Sequence, residues 1–264
     1  MRRLVLWDID GTLVQAGEAG RDAFADAFRA VVGRAPEAAA ARTIAMAGRT
    51  DLEIALEFLA SHEVADGEDH LPAFTEALVA ALAAKAAAIR EHGRALPGAE
   101  TALAELGRTP RVVQSLLTGN VQPNAMVKLA AFGLDGYVDF EVGGFGSDDR
   151  HRPNLVEVAR AKAERKYGAG FPGPATVLVG DTPLDVAAAR AGGARAVAVA
   201  TGHHGPGELR AAGADAVLPD LRDTARALAA ILDGAPGARG AGPGSEPRVR
   251  SSGAWRPPPT AGGG

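Results

Sequence analysis

Cysteine is absent from the 264 residues, which removes disulfides, thiolate nucleophiles and zinc-finger sites together. Any metal must then be held by oxygen or imidazole ligands. No apolar stretch approaches the roughly 20 residues of a membrane span. Met1-Arg2-Arg3 leads straight into an apolar strand rather than a signal peptide. A cytoplasmic location without membrane attachment is the resulting expectation. A basic stripe is missing too. The formal charge is −4, and in residues 234–264 four arginines stand against Glu246 alone, a local +3 that leaves −7 on the rest. So acidic a body argues against nucleic acid as a partner, while a local cluster of cations and N–H donors can still bind a small phosphorylated molecule.

With 47% hydrophobic and 23% charged residues, the chain can bury a sizeable core as one large domain or two smaller ones. After a first strand at Leu4-Val5-Leu6-Trp7, residues 17–93 carry almost no strand signal. Phe24, Phe28, Val31 and Val32 recur at helical spacing, as do Leu52, Leu56 and Leu59. The Ala-rich run 73–89 continues the pattern until Leu96-Pro97-Gly98 punctuates it. Three to five inserted helices are expected. From there, strands at 111–117, 137–142, 176–179, 194–200 and 216–218 alternate with helices at 121–132, 153–167, 183–191, 207–212 and 221–232. Such βαβ alternation implies a parallel sheet covered on both faces, with ligands beyond the carboxyl ends of its strands. From 234 onward Gly, Pro, Ala, Arg and Ser dominate, a composition that implies disorder; Trp255 is its one large apolar residue.

The strand ends are where chemistry-bearing residues gather. Asp8 and Asp10 follow the first strand two positions apart, so in extended chain they share a face and can divide nucleophilic and acid/base work. The competing reading is an Asp-Gly turn with the other Asp solvating the strand end. Thr118-Gly119-Asn120 follows a second strand. The Thr118 hydroxyl and the Gly119 and Asn120 N–H groups suit an anion, although an ordinary helix-capping turn has the same letters. Asp181 and Asp185 are spaced i, i+4, with Thr182 as N-cap and Pro183 in the first helical turn, and can face one point; Asp185 also suits the helix dipole by itself. Arg152 precedes Pro153 at a helix start, and Arg150 lies close enough to compete for its role or to pair with Asp148 or Asp149. His203 and His204 follow a strand, in a loop; the other histidines lack ligand spacing.

Together these segments resemble the haloacid dehalogenase superfamily of hydrolases, in its aspartate-nucleophile phosphatase branch. Asp8-Ile9-Asp10-Gly11-Thr12 is similar to its first motif, Leu117-Thr118-Gly119-Asn120 to the second, Arg152 to the third and Gly180-Asp181-Thr182-Pro183-Leu184-Asp185 to the fourth. The resemblance implies a Rossmann-like α/β core formed by residues 1–15 and 96–233, with a helical cap, 16–95, inserted after the first strand. It also implies Mg²⁺ held by the Asp8 carboxylate, the Asp10 main-chain carbonyl and the Asp181 carboxylate, with Asp185 behind them. Asp8 would be the nucleophile, Asp10 the acid and base, and Thr118, Gly119, Asn120 and Arg152 the phosphate-binding group.

The reaction implied is hydrolysis of a small phosphorylated metabolite through an aspartyl-phosphate, by a monomer or a homodimer. Asp10 speaks against halide displacement, which needs no proton donor. Lys85, the only lysine of the insertion, sits in an Ala-rich helix and is expected to face solvent, which speaks against Schiff-base chemistry. A sugar phosphomutase remains open, and so does a non-catalytic binding protein on the same fold. The superfamily's mutases carry a histidine where this chain has Gly20, which weighs toward hydrolysis. Arg49, in Gly48-Arg49-Thr50-Asp51, can reach a substrate anion when the cap closes; equally, the tetrapeptide reads as a Gly turn with Thr50 capping a helix.

Overall fold

The computed structural model describes residues 2–233; the expectation of a disordered tail over 234–264 lies outside them. The chain opens with β1 (Arg3–Trp7) and a tight turn into β2 (Val14–Gln15). It then runs through five helices, α1 (Ala19–Val32), α2 (Ala38–Thr43), α3 (Asp51–Ser61), α4 (Gly67–Ala84) and α5 (Ala86–His92). β3 (Arg94–Ala95) brings it back, antiparallel to β2, so the helical segment leaves and returns through a two-stranded neck.

After the neck the elements alternate: α6 (Ala99–Arg108), β4 (Val112–Thr118), α7 (Gln122–Ala130), β5 (Gly144–Phe145), α8 (Leu155–Tyr167) and β6 (Thr176–Gly180). Then follow α9 (Pro183–Ala191), β7 (Arg195–Val199), α10 (Pro206–Ala211), β8 (Ala216–Leu218) and α11 (Thr224–Leu232). Six strands form one parallel sheet in the order β5-β4-β1-β6-β7-β8. This is the expected Rossmann-like α/β architecture.

The period-2 alternation of a strand sends successive side chains to opposite faces. Val5 and Trp7 pack with α6, α7 and α11, through Leu103, Leu129 and Ile231. Leu4 and Leu6 pack with α8, α9 and α10, through Leu155, Val186 and Leu209. Buried on both faces, the central strands read as continuous apolar runs. Trp7 keeps its indole N–H satisfied by donating to Gln114 at 3.1 Å.

The inserted helices enclose a third apolar cluster built on Phe24, Phe28, Phe58, Phe74, Leu78 and Leu82. In α3 the buried face is Ile54, Ala55, Phe58 and Leu59, whereas Leu52 and Leu56 are only partly covered. His62 is buried there with a structural task. Its Nε2 accepts from the Glu37 N–H at 2.9 Å, so Nδ1 carries the hydrogen and donates to the Phe58 carbonyl at 2.7 Å. Lys85 does not face solvent as expected: its ammonium meets Asp26 at 2.6 Å with the side chain 22% exposed. No single described helix is long and apolar enough to cross a membrane; α4 and α5 pass that test only as a pair bent by 53°, and Phe74, Leu78, Leu82 and Ile89 point into the helical cluster.

One expected strand does not form. Residues 137–142 alternate in polarity, but the chain there makes 3₁₀ turns over Asp135–Tyr137 and Phe140–Val142. Asp139 is the cause: its carboxylate accepts from the Glu141 N–H two residues on, at 3.0 Å, a local turn that competes with ladder formation. The edge strand is Gly144–Phe145 instead, paired with Leu117 and Thr118.

Candidate active site

Parallel register brings strand ends level, and here it gathers the acidic residues. Trp7 pairs with Leu116 on one side and Val179 on the other. Asp8, Thr118 and Asp181 therefore emerge at one edge of three adjacent strands, and Asp8 is fixed by its N–H donating to the Val179 carbonyl at 2.8 Å. Gly11 lets the chain turn away at φ 84°, and a Cβ there would lie 2.4 Å from an Asp181 oxygen. Only glycine permits that backbone and that approach together. Thr12 donates its hydroxyl to Asp181 at 3.2 Å.

Asp8, Asp181 and Asp185 are all buried, and each offers an oxygen within 4.8 Å of the others. Arg152, buried in the 3₁₀ turn Arg152–Asn154, donates through one nitrogen to Asp8 at 2.8 Å and to Asp185 at 2.5 Å. Burial raises the Asp8 and Asp181 carboxyls above the ordinary range. At Asp8, Arg152 opposes that rise; at Asp181, the neighbouring carboxylates add to it. For Arg152, burial alone would lower the guanidinium, but Asp185 and Asp8 outweigh it and hold it firmly charged. Two of the three carboxylates thus share one guanidinium, Asp181 has none of its own, and all the donors are hard oxygens. That set fits a small divalent cation. Asp185 already spends both oxygens, one on Arg152 and the other on the Thr182 N–H and hydroxyl at 3.0 and 2.7 Å. Asp8 and Asp181 are the carboxylates with capacity left. The Asp10 main-chain carbonyl accepts no hydrogen bond among the described residues.

Opposite stands Asp10, with 46% of its side chain exposed. Its Oδ2 accepts from Asn120 at 2.8 Å and from Lys128 at 2.6 Å. Thr118 receives the Asn120 N–H and side-chain amide on its oxygen, at 3.2 and 2.8 Å, so its own hydroxyl hydrogen is free to donate. Of the two backbone N–H groups expected to suit an anion, that of Asn120 is spent inside the protein, whereas that of Gly119 has no partner among the described residues. Thr118 takes the Asn120 N–H, and Asp51 takes that of Val121 at 2.9 Å. Asn120 contacts Asp10 rather than standing open for phosphate.

Arg150 and Arg152 are separated by their surroundings. Arg152 is buried against Asp8, whereas Arg150 is exposed and reaches Glu68 of α4 at 2.5 Å, rather than Asp148 or Asp149. Arg49 lines the cavity, yet its guanidinium is neutralised by Glu57 and lies 4.0 Å from Glu53. Thr50 caps α3 by accepting the Glu53 N–H at 3.2 Å. The Arg49 carbonyl packs so closely on Gly119 that a Cβ at that glycine would lie 1.8 Å from it. Residues of the helical segment, among them Phe24, Met46, Ile54, Leu78 and Leu82, complete a cavity of about 470 Å³ over Asp8 and Asp10.

Two residues escaped the sequence reading. Lys128 is a lone charge in the last turn of α7, ten residues beyond Thr118; a cation on a helix flank otherwise facing the core was its signal. Asp51, the first residue of α3, reads as a helix-start acid, but its carboxylate is buried against the start of α7. Burial pushes it up to about 6, against the pull of Lys128.

A Rossmann-like sheet with clustered carboxylates at its carboxyl edge, roofed by an inserted helical segment, defines an α/β protein with a hydrolase-type site. The chain belongs to the haloacid dehalogenase-like hydrolases, whose family profile matches residues 5–190. A plasmid-encoded phosphoglycolate phosphatase of Cupriavidus necator is 34% identical over 148 residues, 53% of this chain and 56% of that protein. The matched stretch is thus little more than half of that relative's length. Among solved structures, a hydrolase from Pseudomonas syringae aligns at TM-score 0.61 with 22% identity, covering 88% of this chain and 99% of the other. CbbY from Rhodobacter sphaeroides, solved in complex with phosphate, aligns at 0.62 with 23% identity over 84% and 96%. At these identities the structural likeness is one of fold.

Proposed function

We propose that the protein is a Mg²⁺-dependent phosphomonoester hydrolase of a small phosphorylated metabolite, acting through an aspartyl-phosphate. One observation carries this reading. A buried Asp8 is flanked by Arg152 and Asp181, while a second carboxylate, Asp10, is held at the mouth of the same cavity by Lys128 and Asn120. Nucleophile and proton carrier are thereby kept in different environments, as a two-step displacement requires.

Asp8, Asp181 and the Asp10 carbonyl would hold the cation, with Asp185 fixing Arg152 behind them. A bound Mg²⁺ supplies positive charge that lets a carboxylate approach a phosphate dianion. Asp8 attacks phosphorus in line, while Thr118 and Arg152 stabilise the equatorial oxygens. Asp10 gives its proton to the departing alkoxide, then takes one from the water that cleaves the aspartyl-phosphate. Residues 16–95 serve as the cap that excludes bulk water and selects the leaving group, with Arg49 at the cavity wall.

The relative's name makes phosphoglycolate the first substrate to try. Phosphate release from a panel of phosphorylated metabolites with Mg²⁺ tests the proposal, and release from none of them rejects it. The panel includes a β-sugar 1-phosphate with its bisphosphate. Conversion to the sugar 6-phosphate faster than phosphate release would make the protein a mutase instead; Gly20, at the cavity wall with open space about it, stands where a mutase would carry its histidine, so the hold on Asp10 comes from Lys128 and Asn120 instead.

A further inference from the structure

Lys128 is a buried cation of this site that touches neither Asp8 nor Asp181, and its contacts are all on the proton-carrying side. Its side chain is only 8% exposed, and burying an ammonium is costly unless its donors are well used. They are used on two groups, Asp10 Oδ2 at 2.6 Å and Asn120 Oδ1 at 2.7 Å. The Asn120 amide closes the triangle by donating to the same Asp10 oxygen at 2.8 Å and reaches Thr118 Oγ1 at 2.8 Å as well. Two donors converge on Oδ2, and Oδ1 of Asp10 has no hydrogen-bond partner among the described residues. Oδ2 is thus already occupied by two donors, and Oδ1 is the Asp10 oxygen left to meet a leaving group or a water.

We propose that Lys128 is a positioning residue that, with Asn120, locks the Asp10 carboxyl so that Oδ1 alone exchanges protons with the leaving group and with water. The proposal rests on the hydrolase reading above. As the bond from phosphorus to the leaving oxygen breaks and that to Asp8 forms, the proton on Oδ1 passes to the departing oxygen and a neutral alcohol leaves. Water then attacks phosphorus and yields a proton to Oδ1, releasing phosphate and regenerating the Asp8 carboxylate. Because Asn120 also holds Thr118, one side chain ties the proton carrier to the phosphoryl anchor.

A poor leaving group needs the acid, and an activated aryl leaving group does not. Lys128→Met should therefore lower kcat/KM on an alkyl phosphate such as glycerol 3-phosphate by about 10²-fold, and on 4-nitrophenyl phosphate by less than about threefold. In an Asp10→Asn background, Lys128→Met should bring no further loss on the alkyl ester. Should Lys128→Met fail to fold by circular dichroism, Lys128→Gln is read in its place and should show the same selective loss. Equal losses on both esters, or an additive loss in the double variant, overturn the positioning role while leaving the hydrolase reading intact. Turnover of neither ester by the unsubstituted protein overturns both.

Discussion

At the scale of single residues, what distinguishes the site is how each carboxylate is surrounded. Asp8 is buried beside Arg152, and Asp8→Asn keeps the shape while removing the proposed nucleophile. Its turnover should fall by roughly 10³-fold or more with the fold intact; retention of a tenth of the parent rate in a phosphate-release assay would exclude a covalent Asp8 intermediate. Asp51 offers a test that needs no substrate. Its carboxyl is raised from 3.8 to about 6 by burial, so the folded state holds its proton more tightly than the unfolded chain. Its contribution to stability is then fully present below about pH 4 and is lost as pH rises to about 6. Asp51→Asn retains an oxygen for the Val121 N–H and does not titrate. The melting temperature of the variant relative to the parent should climb between pH 4 and 6 and then level off. A difference flat across that window would show that Asp51 ionises as it does in water.

At the scale of elements, the helical segment and the sheet edge meet where side chains have been reduced to nothing. Gly119 ends the β4 motif directly under the Arg49 carbonyl, and Asp51 both accepts the Val121 N–H and donates its own N–H to the Gly119 carbonyl at 2.7 Å. Arg49, Asp51 and Gly119 at this seam all line the cavity over Asp8. Gly119→Ala places a methyl group against backbone that cannot rotate aside. It should cost about 1–3 kcal/mol, read as a lowered melting temperature, and should raise KM because the roof no longer seats. A variant with parent-like melting and KM would mean that the seam yields freely. The sequence shows Thr50 as a helix cap and Gly119 as part of a turn. That the two turns press on one another depends on the neck of β2 and β3, which returns the helical segment over the sheet.

At the scale of the whole molecule, metal and fold should be linked. The three buried carboxylates repel one another with only Arg152 among them, so a divalent cation that binds the folded state alone should stabilise it, by about 2.7 kcal/mol at a hundred times its dissociation constant. Adding Mg²⁺ should raise the melting temperature of the unsubstituted protein and leave that of Asp181→Ala nearly unmoved. The same shift in both would place the cation elsewhere.

The sequence alone determined the α/β class, the positions of Asp8, Asp10, Thr118 and Asp181 at or just beyond strand ends, and those of Arg152 and Asp185 at the helix starts that follow, because apolar runs and turn residues are local signals and a parallel sheet carries its site at the strand ends. It could not determine which polar groups are consumed by the protein itself. The Asn120 and Val121 N–H groups, the Arg49 guanidinium and both Asp185 oxygens look free in one dimension and are engaged in three. The strand misread at 137–142 fails for a related reason, since Asp139 satisfies backbone that a ladder would otherwise have claimed. Lys128 lies 118 residues from Asp10, and only the packing of α7 against the sheet brings them together; a hydrogen bond spanning that separation has no local pattern to announce it.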